Sequence, residues 1–195
     1  HPEKIFYSNL PGYLDSKGLS FSLDFNHNSG FRANFGLSFL DIRNHENGGW
    51  SRPVLTEKSS GTGMMSYKSS RINTTFDYTF KWLSPMRLPL QGPSDPRPEY
   101  SPFTQIHNLQ VTKATAKSVE FFAGIKNLFD FLPYRNIPFL ISNASDPFDK
   151  QVVFDQNGVA LPTTQNPFGL TFDPSYVYAS LQGRRLFGGL RISFK

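Results

Sequence analysis

Apolar and polar residues alternate one by one in several segments of this chain, most regularly over residues 71–82. One set is Ile72, Thr74, Phe76, Tyr78, Phe80 and Trp82, and the intervening set is Arg71, Asn73, Thr75, Asp77, Thr79 and Lys81. Successive side chains of a β-strand point to opposite faces, whereas a helix would scatter both sets around its axis. The segment therefore predicts a strand with one mostly apolar face and one polar face.

The same alternation predicts most of the other strands, and almost no helical periodicity accompanies it. The regular segments are Leu19–Asn26, Phe31–Phe39, Val119–Ile125 and Arg185–Phe194. The weaker segments are Ile5–Asn9, Met86–Leu90 (interrupted by Pro89) and Thr104–Thr112. Since the total is about eight strands, we predict an all-β, antiparallel, up-and-down fold.

The predicted connections are sorted by length. Short turns are expected at His27–Gly30, Leu83–Pro85 and Lys113–Lys117, and long loops at Asn44–Ser70, Gln91–Pro102 and about Asp130–Gln182. Short turns at one end and long loops at the other are typical of an outer-membrane β-barrel, whereas a soluble sandwich has no reason to sort its loops. The last predicted strand also ends on an aromatic residue beside the C-terminus, as such barrels do.

Composition narrows the class of protein. The 195 residues suffice for one domain, and 20 Phe and 8 Tyr supply strand-forming rings although the mean hydropathy is −0.38. No run approaches the roughly 18 consecutive apolar residues of a membrane helix, which excludes a helical membrane protein but not a barrel. Cysteine is absent, so disulfides, zinc–thiolate sites and thiol chemistry are excluded. The net charge of +5 comes from dispersed Lys and Arg, which argues against a nucleic-acid partner.

Candidate metal sites are weak. The four histidines, His1, His27, His45 and His107, lack the spacing of a metal site. Three aspartates, Asp146, Asp149 and Asp155, share a long loop with Asn157-Gly158 and are candidates for calcium ligands. Their spacing does not fit an EF-hand, so solvated loop residues are the favoured interpretation.

No motif predicts catalysis or cofactor binding. Gly61-Thr62-Gly63 lacks the flanking strand and helix of a nucleotide site, and no serine, histidine and acid lie in a nucleophile-elbow context. Asn73-Thr74-Thr75 and Asn143-Ala144-Ser145 match glycosylation acceptors, which an envelope protein would not normally use. We therefore predict a protein that is not an enzyme, with no catalytic, cofactor-binding or metal-binding residues and no cofactor.

In a barrel, the polar set would face the lumen. The predicted lumen residues are Arg32, Asn34, Arg71, Asn73, Asp77 and Lys81. They would line an aqueous path, hold an internal domain, or simply solvate the interior. Aromatic residues of the predicted loops are candidates for substrate contact or for packing of the loops: Trp50, Tyr67, Tyr100, Phe103, Phe148, Phe154 and Phe168. The substrate-binding residues stay undetermined at this level.

Three motifs occur in order along the chain. The first is Tyr7-Ser8-Asn9, then Lys17-Gly18-Leu19-Ser20 and a hairpin ending Ser38-Phe39-Leu40-Asp41. The second is Gly124-Ile125-Lys126-Asn127-Leu128-Phe129-Asp130, and the third is Gln182-Gly183-Arg184 before the last strand. Together they resemble a mid-barrel hairpin, the penultimate strand and the start of the last strand of TonB-dependent outer-membrane receptors. The resemblance covers essentially the whole chain, and Lys195 departs from it because the family usually ends on the aromatic residue.

The resemblance implies that residues 1–195 are the C-terminal part of a larger receptor. Family members have 22 strands and an N-terminal plug domain, so about eight strands without a plug or an energy-coupling box would be a fragment. The start at His1-Pro2 without a signal peptide fits a fragment or a mature product.

The resemblance also implies a location in the Gram-negative outer membrane, in contact with its lipid. Energy would come from the TonB complex through the missing plug, and the cargo would be a scarce, bulky nutrient such as a siderophore, a vitamin or an oligosaccharide. A different class of function stays open on the pattern alone. It is a soluble all-β module that binds carbohydrate or another ligand.

Leu190, Ile192 and Phe194 line the apolar side of the last predicted strand. We expect them to form the signal that the barrel-insertion machinery recognises, with Phe194 in the aromatic girdle at the periplasmic interface. Removing Phe194 and Lys195 from the full-length protein should lower its amount in the outer membrane, measured by quantitative immunoblotting of membrane fractions. Removing Lys195 alone is the control and should change nothing. Wild-type amounts for both truncations would contradict the proposed signal.

Overall fold

The computed structural model describes residues 12–89, 98–116, 118–133, 153–157, 161–164, 167, 169 and 182–194. These residues form an all-β, antiparallel sheet of eight strands, as the alternation predicts. The strands are β1 (Gly12–His27), β2 (Phe31–Glu46), β3 (Gly49–Ser51), β4 (Ser59–Ser69), β5 (Thr74–Leu83), β6 (Thr104–Ala116), β7 (Val119–Lys126) and β8 (Arg185–Ile192). In the same part of the chain, no helix has the length and apolar character needed to span a membrane.

The strands lie in the sheet in chain order, β1-β2-β4-β5-β6-β7-β8, and the three-residue β3 pairs with β2. Each neighbouring pair is antiparallel. The path contains seven strands, which is an odd number, so β1 and β8 run in the same direction. In the described sheet these two strands make no contact with each other, and both outer edges are open.

Short turns join the strands at one end of the sheet. Between β1 and β2, Gly30 has a φ of +87°, and a Cβ there would lie 2.5 Å from the carbonyl oxygen of Lys68. Only glycine fits such a position without displacing the neighbouring backbone. Asn73, with a φ of 48°, ends the β4–β5 turn, and asparagine is among the residues that tolerate this conformation best. The connections at the other end span residues 47–58, 84–103 and 127–184.

Parts of the predicted layout were wrong. Asn44–Ser70 is not one loop, because Ser59–Ser69 form β4. Met86–Pro89, the described part of the predicted strand Met86–Leu90, belong to no strand of the sheet, and Leu83–Pro85 is not a short turn, because Leu83 ends β5 and Ser84 begins the long connection 84–103. The two errors cancel in the strand count, but an additional strand at residues 86–90 would make residues 71–82 parallel to residues 104–112, whereas β5 runs antiparallel to β6. Ile5–Asn9 lies outside the described residues.

Two glycines explain why the alternation of apolar and polar residues does not predict β4. Gly61 and Gly63 stand directly opposite Trp82 and Phe80 of β5, at positions where the alternation would require apolar side chains. A Cβ on Gly63 would lie 2.3 Å from Cε1 of Phe80, so the ring occupies the space above the glycine. Covering a glycine with a ring from the next strand keeps the apolar surface continuous.

The sheet encloses almost no core. In the described part of the chain the buried apolar side chains are Ala33, Met86 and Leu88. Met86 and Leu88 lie in the 84–103 connection, whose backbone pairs with itself through Leu88 N to Glu99 O and Ser101 N to Met86 O, both at 2.8 Å. The apolar core is thus built where the long connection folds on itself, and the faces of the sheet stay exposed.

Gly124 of β7 tests how tightly the sheet is packed. A Cβ at this position would lie 2.4 Å from Cζ of Phe187 and 2.5 Å from the backbone oxygen of Leu109, and a backbone oxygen cannot rotate away. Gly124→Ala should lower the free energy of unfolding by about 1–3 kcal/mol, measured by urea unfolding. Gly49→Ala, where the nearest atom is 3.6 Å away, is the control. Equal stability of the two variants would contradict the tight seat at Gly124.

Candidate functional site

The register brings most of the large apolar residues of the long strands onto one face of the sheet, here called the apolar face. Directly opposed residues of antiparallel strands share a face. One complete row across the seven strands is Phe25, Ala33, Met65, Tyr78, Leu109, Ile125 and Leu186. No member of this row is charged. Many of the larger side chains on this face are exposed, among them Leu23 to 63% and Leu190 to 51%, whereas the small side chain of Ala33 is buried.

The apolar face has a sharp upper limit on β1 and β2, at the end that carries the long connections. The last apolar row is Leu19 opposite Phe39, and the next two rows are Lys17 opposite Asp41 and Asp15 opposite Arg43. Arg43 forms a bidentate ion pair with Asp41, with Nε 3.2 Å from Oδ1 and Nη2 2.8 Å from Oδ2. The hydrogen bond from Arg43 is the main reason why the pKa of Asp41 lies below its usual value.

An aromatic cluster follows beyond these charged rows. Tyr13 stacks on His45 with ring centroids 4.8 Å apart, and Trp50 of β3 contacts both rings edge-on. Tyr13 and Trp50 are each 55% exposed. The same face of β1 and β2 therefore changes from apolar to charged to aromatic with increasing distance from the turns.

His107 of β6 is a polar residue within the apolar face. Its Nδ1 lies 2.6 Å from the hydroxyl of Tyr78, and its Nε2 lies 3.3 Å from Oε1 of Gln105. The ring of Phe129 packs against the imidazole edge at a centroid distance of 4.7 Å. Both ring nitrogens thus have polar neighbours, which indicates a satisfied surface histidine rather than a metal ligand.

The opposite face, here called the polar face, is held by hydrogen bonds between short polar side chains of neighbouring strands. These bonds join Ser20 and Ser38 at 3.0 Å, Ser66 and Asp77 at 2.7 Å, and Asn108 and Thr79 at 3.0 Å. Lys126 lies over the ring of Phe187 at 5.6 Å from its centroid, on the rim of a cavity of about 290 Å³. Asp77, Asn108 and Gln110 also line this cavity, so it offers carboxylate, amide, ammonium and aromatic groups together.

Asn127 follows β7 directly and links it to β6 and to the segment that precedes β8. It has a φ of 51° and is 4% exposed. Its Nδ2 donates to the carbonyl oxygens of Phe131 at 2.8 Å and Gln182 at 3.2 Å, and its Oδ1 accepts from the Phe131 N–H at 2.8 Å. Its own N–H donates to Oδ1 of Asn108 in β6 at 3.0 Å. A single buried amide therefore fixes both ends of the 127–184 connection.

Asp130 and Arg184 complete this arrangement, which we call the strand clamp (Asn127–Asp130 with Gln182–Arg184). Oδ1 of Asp130 accepts from the backbone N–H of Arg184 at 2.7 Å, and Nε of Arg184 donates to the Leu128 carbonyl at 3.0 Å. A Cβ on Gly183 would lie 2.6 Å from Asp130 Oδ1, so a larger residue here would displace the carboxylate from this position. The second and third motifs of the sequence thus form one contact that positions the start of β8.

The connections above the sheet pack around Arg87 and Ser84. Arg87 forms an ion pair with Glu99 at 3.4 Å and donates to the Arg52 carbonyl at 3.3 Å, and Oγ of Ser84 accepts from the N–H groups of Lys58 and Ser59. The Nε and Nη2 atoms of Arg52 are buried and have no hydrogen-bond partner in the structure as described. Sequence patterning did not single out Arg52, because nothing in its neighbours predicts its burial.

In the structure, some of the residues singled out in the sequence lie where they were predicted and others do not. Arg32, Asn34, Asp77 and Lys81 share the polar face, as predicted. Arg71 and Asn73 do not, because they lie in the β4–β5 turn. Tyr67 is a β4 strand residue on the apolar face rather than a loop residue. Phe148, Phe168, Asp146, Asp149 and His1 lie outside the described residues.

The structure also shows the surroundings of the histidines and of Asp155, the candidate metal ligands. His27, His45 and His107 lie on different strands or at different heights, and the described residues contain no group of three or more His, Cys, Asp or Glu side chains suited to a metal. Asp155 accepts from the Asn157 N–H at 2.8 Å, a local turn contact. The aromatic cluster and the charged rows of β1 and β2 were missed, although the alternation that continues from Leu19 back to Tyr13 was a usable signal.

Comparison of the chain with models of protein families, with curated proteins and with solved structures found no match.

The strand clamp yields a prediction about stability. Asn127→Ala leaves the Phe131 and Gln182 carbonyls and the Phe131 N–H without their partner, and it strains alanine at positive φ. The free energy of unfolding should fall by about 2–4 kcal/mol, and limited proteolysis should cut within 127–184 sooner. Asn26→Ala, on the exposed end of β1, is the matched control and should change stability by less than about 0.5 kcal/mol. If both variants resist protease equally, the clamp does not hold the connection.

Proposed function

We propose that the chain is part of the β-barrel of an outer-membrane receptor of the TonB-dependent type. The single observation that carries the proposal is the continuous apolar face, which spans seven strands without a charged residue in its central rows and stays exposed. A soluble protein rarely leaves so large an apolar surface uncovered. Lipid is the environment in which an outward face of this kind is stable.

The height of the apolar face fits a bilayer. On β2 it runs from Phe31 to Phe39, bounded by the β1–β2 turn below and by the charged Lys17 and Asp41 row above. At about 3.4 Å per residue this is close to 30 Å along the strand. A tilt of about 40° reduces it to roughly 20–25 Å, which is near the apolar band of outer-membrane barrels.

The open edges favour a barrel larger than the seven-strand path. Unpaired edges are too costly in lipid, so a membrane sheet must close. β1 and β8 run in the same direction, so antiparallel closure needs an odd number of additional strands between them. A barrel of 22 strands would add fifteen to these seven, which is odd and satisfies the condition.

The sorting of the connections by length supports an orientation of the proposed barrel in the membrane. The turns 28–30 and 70–73 would face the periplasm, together with the C-terminal end of β8, and the connections 47–58, 84–103 and 127–184 would face outward. The polar face would then line the lumen, where the cavity beside Phe187 and Lys126 offers hydrogen-bonding groups to a passing solute. We propose import of a scarce, bulky nutrient, with energy delivered by the TonB complex through a plug domain.

Extraction from membranes tests whether the protein is embedded in a bilayer, which the proposed function requires. The full-length protein should stay with outer membranes through alkaline washing and should need detergent for release. Release by the wash would favour the alternative, a soluble all-β module that binds carbohydrate or another ligand.

A pair of neighbouring substitutions tests which face meets lipid. Phe76 lies on the apolar face and is 40% exposed, whereas Thr75 pairs with Thr112 on the polar face. Arginine on the lipid face is unfavourable, by up to roughly 2–4 kcal/mol at the bilayer midplane and by less toward the interfaces, so Phe76→Arg should impair assembly more than Thr75→Arg. The measurement is the amount of heat-modifiable, folded protein in outer membranes. Equal effects of the two substitutions would contradict a lipid-facing apolar face.

A further inference from the structure

A single row of the polar face carries a carboxylate, an amide and an aromatic ring. Asp77 of β5 stands opposite Gln110 of β6. Gln110 in turn stands opposite Gly124 of β7, and Gly124 stands opposite Phe187 of β8. Directly opposed residues share a face, so these groups border one surface. The three side chains line the cavity of about 290 Å³ on the polar face.

Gly124 gives the Phe187 ring its position. A Cβ on this glycine would collide with Cζ and Cε1 of Phe187, so the tip of the ring lies above Gly124. The ring thus leans from β8 across β7, towards the polar side chains of β6. Lys126 lies over it at 5.6 Å from the centroid, which is close to the outer limit of a cation–π contact. A solute that stacks on the ring can therefore displace this long, flexible side chain at low cost.

The polar side chains keep hydrogen-bonding capacity for a ligand. Oδ1 of Asp77 accepts from Oγ of Ser66 at 2.7 Å, whereas a carboxylate offers about four acceptor positions. Nε2 of Gln110 donates to Oγ1 of Thr112 at 3.2 Å, and a carboxamide has a second N–H and an acceptor oxygen besides. Each side chain is thus held by one neighbour and can still bond to a ligand.

The charge and the volume of the cavity restrict the class of ligand. The charged groups of its lining are Asp77 and Lys126, one of each sign, so a solute with several negative charges would meet as much repulsion as attraction. A volume of about 290 Å³ is at the lower end for small-molecule sites, which suits one unit of a chain-like solute rather than a whole chelate or vitamin. A sugar unit has an apolar ring face that can stack on Phe187 and hydroxyls that can bond to Asp77 and Gln110.

We propose that this cavity is a subsite for one unit of a neutral oligosaccharide, with the sugar stacked on Phe187 and its hydroxyls bonded to Asp77 and Gln110. The inference deepens the proposed function by naming the cargo, and it rests on that function for the passage of the sugar through a lumen. A segment of an internal plug domain is the other occupant that a lumen wall could hold. The sugar is favoured because its hydroxyls both donate and accept, which matches a carboxylate and an amide beside a ring.

The experiment measures binding to the purified full-length protein by isothermal titration calorimetry. The probes are maltohexaose, cellohexaose, laminarihexaose and xylohexaose, and the comparison set is a ferric tris-catecholate, a ferric tris-hydroxamate and cobalamin. At least one hexasaccharide should bind. Phe187→Leu should weaken its binding about three- to tenfold, because leucine keeps the apolar character but loses the flat ring. Binding of no hexasaccharide, or of a ferric chelate or cobalamin instead, overturns the proposal.

Phe122→Leu is the matched control. The Phe122 ring also lies above a glycine, Gly189 of β8, and its centroid is 6.4 Å from that of Phe187, but it does not line the cavity. This substitution should lower stability as Phe187→Leu does and should leave the affinity for the oligosaccharide unchanged. Equal losses of affinity in both variants would reflect packing rather than a sugar contact and would overturn the subsite.

Two further variants test the polar contacts without removing a ring. Asp77→Asn keeps the shape of the side chain and can still accept from Ser66, but it removes the charge-assisted bond to a sugar hydroxyl. The affinity should therefore fall about tenfold. Lys126→Gln should leave the affinity unchanged, because a neutral sugar does not require the cation. A tenfold loss with Lys126→Gln, or no loss with Asp77→Asn, contradicts a site for a neutral sugar.

The same measurements separate the other occupant and the two levels of the proposal. If the cavity holds a plug segment, Phe187→Leu lowers the stability of the full-length protein and leaves oligosaccharide binding unchanged, which refutes the subsite. Release of the wild type by alkaline washing refutes the proposed function, even where Phe187→Leu still weakens sugar binding. A membrane-embedded protein whose sugar binding is indifferent to Phe187 and Asp77 refutes only the subsite.

Discussion

Continuous antiparallel register is the constraint on which the rest of this structure depends, because a strand has only two faces. β1 and β2 pair over sixteen consecutive rows without a bulge, and the rows continue through β4 to β8. A slip of one residue between any two strands would carry every apolar side chain of one of them to the polar face. The irregularity described in the sheet lies between Ala114 and Ala116, beside the β6–β7 turn, where it does not disturb the central rows.

The register also decides where aromatic rings and glycines stand. Phe187 lies opposite Gly124 and Phe122 lies opposite Gly189, both on the polar face, with Lys126 and Arg191 stacked at the two ends of the pair. Large rings on a polar face would crowd ordinary strand residues. The facing glycines give them room, and the two cations cover their remaining apolar surface.

Much of the fold could be predicted from alternation, and the failures have a common physical cause. β5 and β8 were evident because every second side chain is large and apolar. β4 was missed because its apolar positions include Gly61 and Gly63, whose function is to receive rings from β5. Met86 and Leu88 are apolar and so predict a strand, but they are buried within the connection 84–103 and not against the sheet. A local pattern cannot distinguish a residue that faces a sheet from one that faces a folded connection.

The candidate site was less predictable, since it depends on residues far apart in the chain. The Asn127–Asp130 and Gln182–Arg184 segments resemble motifs of a known family, but neither segment predicts a contact with the other. The hydrogen bond from the Asn127 amide to the Gln182 carbonyl joins residues 55 positions apart in the chain. The clamp has a consequence for how the molecule can vary. Because the two ends of the 127–184 connection are fixed by hydrogen bonds within the sheet, the residues between them can change with little effect on where β8 begins. Doubling the length of such a loop costs only about 0.6 kcal/mol in closure entropy. A rigid frame with a long, tethered connection is the arrangement in which recognition evolves most freely.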